Sequence, residues 1–220
     1  MNFWYWLGYT LSKIVGKVFF RYHALHRERM IQTGPVILAM NHQSYLDPPL
    51  AGIACDRDIY FLARSTLLEH WFWGWMLSKL NVIPVNQESA DRSALKALIG
   101  ILRAGEAALV FPEGGRTLDG NLQPAQPGLG FVIAKTLAPV VPMRIFGGFE
   151  AWPRGGKKIR LHPITVAVGE PMRFTEADLV GGGREMYQRL SDRVMNEIAK
   201  LKLEDSRPGL SRPAGVSPAV

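Results

Sequence analysis

At 220 residues, 47% of them apolar, the chain is long enough for one domain with a full core and too apolar to be disordered throughout. A net charge of +7 points to an anionic partner, but no run of Lys and Arg is interleaved with aromatics, and a single cysteine excludes zinc-finger spacing and any internal disulfide. Nucleic acid is therefore not an expected partner. Anionic lipid or a phosphorylated substrate is.

The first thirty residues, "MNFWYWLGYTLSKIVGKVFFRYHALHRERM", reach their first charge at Lys13, too early for a segment that must cross a bilayer core with about 20 apolar residues. They lack the basic start and the small-residue cleavage site of a secretory signal. Phe3, Leu7, Leu11, Ile14 and Val18 recur at helical spacing, and Ser12, Lys13 and Lys17 fall off that stripe. Trp4, Tyr5, Trp6 and Tyr9 suit the headgroup level, and Arg21, Arg27 and Arg29 follow. The reading is an interfacial helix lying on a membrane. The alternative is a helix that buries its apolar stripe on the protein's own core.

Beyond it, short apolar runs predict strands at 34–40, 58–63, 81–85, 106–111, 139–146 and 157–169. Helical patterns occupy 48–55, 66–79, 89–104, 128–137 and 184–203. Their alternation predicts an α/β fold with a mixed, largely parallel sheet flanked by helices, in which ligands gather at the carboxyl ends of the strands. Within 66–79 the cluster Trp71, Phe72, Trp73, Trp75, Met76 spreads around the helix, which fits a core helix, the wall of an acyl-chain groove or a second membrane contact. Cys55 lies in an apolar run and reads as a buried, unreactive thiol. Three segments are expected: an interfacial helical segment at 1–30, the main domain at 31–204, and a disordered tail at 205–220, rich in Pro, Ser and Gly.

Two stretches carry chemistry. In "NHQSYLDPP" the strand 34–40 delivers Asn41 and His42 to the sheet's carboxyl edge, and Pro48 makes Asp47 a natural N-cap for the next helix. A carboxylate held there can orient an imidazole and stabilise its protonated form, leaving the other ring nitrogen as a general base on a hydroxyl. In "VFPEGGRTLDG" a strand runs into Glu113, Gly114, Gly115 and Arg116. The glycines let backbone N–H groups approach an anion, and Arg116 offers a forked donor matched to phosphate. No GxSxG elbow accompanies Ser44.

From about residue 20 to 172 the sequence resembles the 1-acyl-glycerol-3-phosphate acyltransferases. "NHQSYLD" is similar to that family's first block, "NVIPVNQ" falls at its second, "VFPEGGR" resembles the third and "APVVPMRI" the fourth. The resemblance implies an O-acyltransferase that moves a fatty acyl group to the free hydroxyl of a lysophospholipid. His42 and Asp47 would be catalytic. Glu113, Gly114, Gly115 and Arg116 would bind or frame the acceptor phosphate, with Arg64, where the family has Lys, as a further contact. Acyl-CoA or acyl carrier protein would be the co-substrate, with no other cofactor and no metal, and the enzyme would sit peripherally on the cytoplasmic face of the plasma membrane. Two departures bear on the acceptor: Gln87 stands where the second block closes with Arg, and Gly115 replaces Thr or Ser. Lysophosphatidate, another lysolipid or a different amphiphilic alcohol remain open, as does a non-catalytic lipid-binding protein of the same fold.

Overall fold

The computed structural model describes residues 3–69, 71, 74–75, 79–85 and 92–203. Its centre is β2 (Val36–Met40), five consecutive apolar residues that are all buried. Such a run without polar alternation needs cover on both faces, which only a sheet sandwiched between helices provides. β5 (Ala107–Val110) and β6 (Val140–Phe146) flank it in parallel. The described sheet has seven strands in the order β1-β7-β6-β2-β5-β3-β4, with β1 (His23–Leu25), β3 (Ile59–Arg64), β4 (Val82–Val85) and β7 (Thr165–Val168). Every pairing is parallel except β6 with β7. The expected α/β class holds. Pro84 sits in the edge strand β4, where a missing N–H costs no ladder bond on the open side.

Side chains alternate between two cores. Leu38 and Met40 join Leu109, Val141, Met143, Val166 and Ile59 under α1 (Phe3–Phe20) and α2 (Asp47–Gly52). Ile37 and Ala39 join Leu98, Leu129, Ile133, Leu190, Val194 and Ile198 under α4 (Arg92–Arg103), α5 (Pro127–Thr136) and α7 (Gly183–Lys200). Two short helices, α3 (Ser65–Glu69) and α6 (Gly148–Ala151), follow β3 and β6. α5 and α7 meet closely at Gly130, where an added Cβ would lie 1.8 Å from the Tyr187 carbonyl oxygen. The Gly130 N–H, free in the helix's first turn, donates to Ser191 Oγ at 2.8 Å.

Several expected elements shift. The strand expected over 157–169 is confined to Thr165–Val168: β6 ends at Phe146, paired with Thr165, and Gly147 turns the chain away at φ +82°, so residues 157–164 have no strand to pair with. The helix expected at 48–55 is shorter, and 184–203 ends at Lys200. Of 66–79 the structure describes Ser65–Glu69 and residues 71, 74–75 and 79; Trp71 and Trp75 are exposed, so these two are not core side chains. Residues 89–91, Gln87 and the tail expected to be disordered at 205–220 lie outside the described residues.

The opening thirty residues are not helical throughout. α1 stops at Phe20 and His23–Leu25 enters the sheet as its outermost strand, against β7. α1 turns Tyr5, Gly16 and Phe20 inward, with the Tyr5 hydroxyl accepting from the Ile59 N–H at 3.0 Å. The stripe Phe3, Leu7, Leu11, Ile14, Val18 faces outward, at 41–66% exposure. This removes the alternative in which the stripe packs on the core. No helix among the described residues is long and apolar enough to cross a membrane.

Candidate active site

β2 and β5 are neighbours and parallel, with Ala39 opposite Val110, so the residues that follow each strand emerge side by side at the carboxyl edge. Asn41 follows β2 directly and turns its side chain to β6, accepting from the Ile145 N–H at 2.8 Å and donating to the Ile145 carbonyl at 3.2 Å. That fixes the point from which His42 departs. The His42 ring stacks on Phe111, the residue after β5, with centroids 3.8 Å apart and planes within 11°. Its Nδ1 lies 2.8 Å from Asp47 Oδ2.

Asp47 is not the N-cap expected for it. The helix begins at Asp47 itself, and Leu46 occupies the cap position. Pro49 has no N–H to be capped, and the Leu50 N–H, the remaining donor a cap at Asp47 could take, goes to the Leu46 carbonyl at 3.1 Å. The carboxylate turns back instead, and Oδ2 accepts from the Gln43 and Ser44 N–H groups as well as from the imidazole. Oδ1 is buried with no hydrogen-bond donor among the described residues. It faces Gly148, where a Cβ would come within 3.0 Å of it. Asp47 is fully buried, whereas the His42 side chain keeps 16% of its surface exposed. One ring nitrogen is thus held by the acid, on a ring that is still partly open to solvent.

The loop after β5 is stitched to the same turn. The His42 N–H donates to Glu113 Oε1 at 2.8 Å, the Gln123 N–H to Oε2 at 2.9 Å, and the Thr117 N–H to the His42 carbonyl at 2.8 Å. Burial pushes the Glu113 carboxyl above its ordinary range; its two N–H donors oppose that, and Asp47 adds to it. Gly114 closes the turn by donating to the Phe111 carbonyl, at φ +72°, a conformation that disfavours side chains. A Cβ at Gly115 would meet nothing within 4 Å, so that glycine is not required by packing. The N–H groups of Gly115 and Arg116 have no partner among the described residues. Arg116 lays its guanidinium 3.5 Å over the Tyr45 ring, Tyr45 leans on Trp152 at 4.9 Å, and Nη1 has no hydrogen-bond partner among the described residues.

His42, Asp47, Glu113, Gly114, Gly115 and Arg116 are therefore gathered around one turn and one loop. Arg64 ends β3 at the same edge of the sheet, with β5 between it and β2, and its side chain lies outside the described residues. Sequence reasoning missed Phe111, Tyr45 and Gln43, whose side-chain amide donates to the Gly120 carbonyl and ties the two segments again. An aromatic directly before "PEGG" was the available signal for Phe111; its partner depended on strand register. Cys55 is buried as expected, and burial pushes its thiol up to about 12.

A family profile described as Acyltransferase matches residues 23–146, more than half of the chain. The chain belongs to the acyltransferase family. The matched segment runs from β1 to the end of β6 and contains both halves of the site. Over 169 residues the chain is 28% identical to a chloroplastic 1-acyl-sn-glycerol-3-phosphate acyltransferase of Brassica napus, covering 76% of this chain and 46% of the relative. It is 26% identical over 149 residues to the 1-acyl-sn-glycerol-3-phosphate acyltransferase of Bacillus subtilis, 67% of this chain and 71% of that one. The chain spans under half the length of its plant relatives from Brassica napus and Arabidopsis thaliana. In fold it is similar to the crystal structure of the 1-acyl-sn-glycerophosphate (LPA) acyltransferase PlsC from Thermotoga maritima, with a TM-score of 0.70 at 24% identity over 89% of this chain and 80% of the other.

Proposed function

We propose that this acyltransferase moves a fatty acyl group from a thioester, acyl-CoA or acyl carrier protein, to the free hydroxyl of 1-acyl-sn-glycerol-3-phosphate, giving phosphatidic acid. The observation that carries the reading is the His42 imidazole pinned between Asp47 and the Phe111 face, next to a loop with unpartnered backbone N–H groups and an unpartnered guanidinium nitrogen.

In this reading Asp47 holds the proton on Nδ1, and Nε2 takes the proton of the acceptor hydroxyl as its oxygen attacks the thioester carbonyl. The carbon–sulfur bond breaks, the departing thiolate takes that proton from the imidazolium, and ester and free thiol leave. No acyl-enzyme forms. The thioester already carries the activated acyl group, so no cofactor is invoked. Arg116 and the N–H groups of Gly115 and Arg116 would grip the acceptor phosphate, with Gly114 shaping the turn and Arg64 as a further contact. Glu113, with both oxygens engaged, frames that loop. We further place the protein peripherally on the cytoplasmic face of the plasma membrane, where the outward stripe of α1 and the excess positive charge match an anionic leaflet.

Purified protein given acyl-CoA should release thiol only when lysophosphatidate is added, with phosphatidic acid as the product by mass spectrometry. His42→Ala should remove that turnover while leaving the fold intact. Full turnover in His42→Ala, or thiol release without acceptor, overturns the mechanism.

A further inference from the structure

The loop between α6 and β7 is absorbed by neither core nor site. It carries Arg154, Lys157, Lys158 and Arg160, all exposed, and Glu150 is the only acidic residue between positions 147 and 164. None of these four cations forms an ion pair among the described residues. Among them stand two large aliphatic side chains, Ile159 at 51% and Leu161 at 71% exposure. The loop is nonetheless built. Trp152 Nε1 donates to the Gly156 carbonyl at 2.9 Å, and the Arg160 N–H to the Ala151 carbonyl at 2.8 Å.

Its position gives it meaning. β7 runs antiparallel to β6 with Thr165 opposite Phe146, so the loop projects from the edge of the sheet that bears His42. Its near end is bridged to Ser44, and the Trp152 ring stands against Tyr45. At its far end the Ile164 N–H donates to the carbonyl of Phe20, the last residue of α1, at 2.9 Å. The loop thus joins the reaction edge to the outward-facing α1 helix.

We propose that residues 154–161 dock on anionic lipid headgroups as a second membrane contact, independent of α1. Lys and Arg seat their charges at the phosphates while their stems, with Ile159 and Leu161, enter the acyl boundary. Charge complementarity alone would equally suit an acidic protein. Aliphatic side chains protruding between the cations, in a loop whose far end is hydrogen-bonded to the last residue of α1, favour a fluid interface. The inference rests on the membrane part of the function proposed above and makes no use of the acyl-transfer part.

The test is cosedimentation of the full chain with phosphatidylcholine vesicles, with and without phosphatidylglycerol. K157Q/K158Q/R160Q, three exposed positions, should keep the parent's thermal midpoint. It should lose on the order of a hundredfold in affinity for the anionic vesicles at low salt, with no loss on neutral ones. I159S/L161S should weaken binding to both compositions. Unchanged affinity of the triple variant for anionic vesicles overturns the proposal. So does a loss that falls on holo acyl carrier protein while vesicle binding stays intact. Absence of acyl transfer in the parent would defeat the function proposed above and leave this vesicle result standing.

Discussion

Glu113 accepts from the His42 N–H with one carboxylate oxygen and from the Gln123 N–H with the other, and so ties the loop after β5 to the turn after β2. Its carboxyl titrates above the ordinary range chiefly through burial. In Glu113→Gln the side chain's new NH₂ must face one of those two N–H groups, so one buried bond is lost, at about 1–3 kcal/mol. Under the function proposed above we expect kcat to fall more than KM rises, because Glu113 sets the backbone under His42 while the acceptor phosphate would rest on Arg116. The pH dependence has a definite sign. The folded state holds a proton on Glu113 in a window above the ordinary glutamic acid value, where the unfolded chain has lost it. The parent therefore gains stability from this group as pH falls through that window. The Gln variant should lack this contribution in denaturant unfolding across a pH series, and an identical slope in both proteins would contradict the assignment. The "NH…D" and "PEGGR" stretches were legible as parts of one cluster, and the structure brings them together through the His42 contacts with Asp47 and Glu113. The direction in which Asp47 points was not, since it depends on the N–H groups of Gln43 and Ser44 and the imidazole meeting Oδ2 while the Leu50 N–H goes to the Leu46 carbonyl.

α1 shows how an element can be read correctly from its period and still leave its orientation open. Its aliphatic repeat is regular, yet its inward side is built from Tyr5, Gly16 and Phe20 with Tyr9 alongside. A Cβ at Gly16 would press on Ile53 and Tyr22 at 3.3 Å, so the glycine sets how closely the helix lies on the body. Tyr5 and Tyr9 looked like headgroup rings by type; the structure uses their hydroxyls on Ile59 and Asp56. Leu11 and Ile14, exposed at 59% and 55%, are free of such duties. L11S/I14S should change the unfolding free energy by no more than about 0.5 kcal/mol. Its affinity for lipid vesicles should fall by about tenfold or more, because two aliphatic side chains lose their apolar destination. Vesicle binding equal to the parent's would remove α1 from the membrane contact.

Across the whole molecule, the central strands announced themselves because they are buried on both faces and therefore apolar at every position. β2 and β5 are the clearest cases. The edges did not. β1 is three residues, "HAL", with no alternation to detect, and it becomes a strand only because β7 offers it a parallel partner. The run at 157–164 looked like a strand from its composition but has no ladder with any described strand. Amide hydrogen exchange should follow the same division, slowest in β2 and its neighbours β5 and β6 and faster in the edges β1 and β4. Protection in β4 equal to that in β2 would contradict the layout. The join between α1 and β1 is only Arg21 and Tyr22, and Tyr22 is itself held by its hydroxyl on the Leu50 carbonyl at 2.9 Å. Such a joint has no slack to act as a tether. If the helix beds into lipid, the sheet is carried at a set height above it, and a substrate's hydroxyl must rise to the imidazole, because the imidazole cannot descend to meet it.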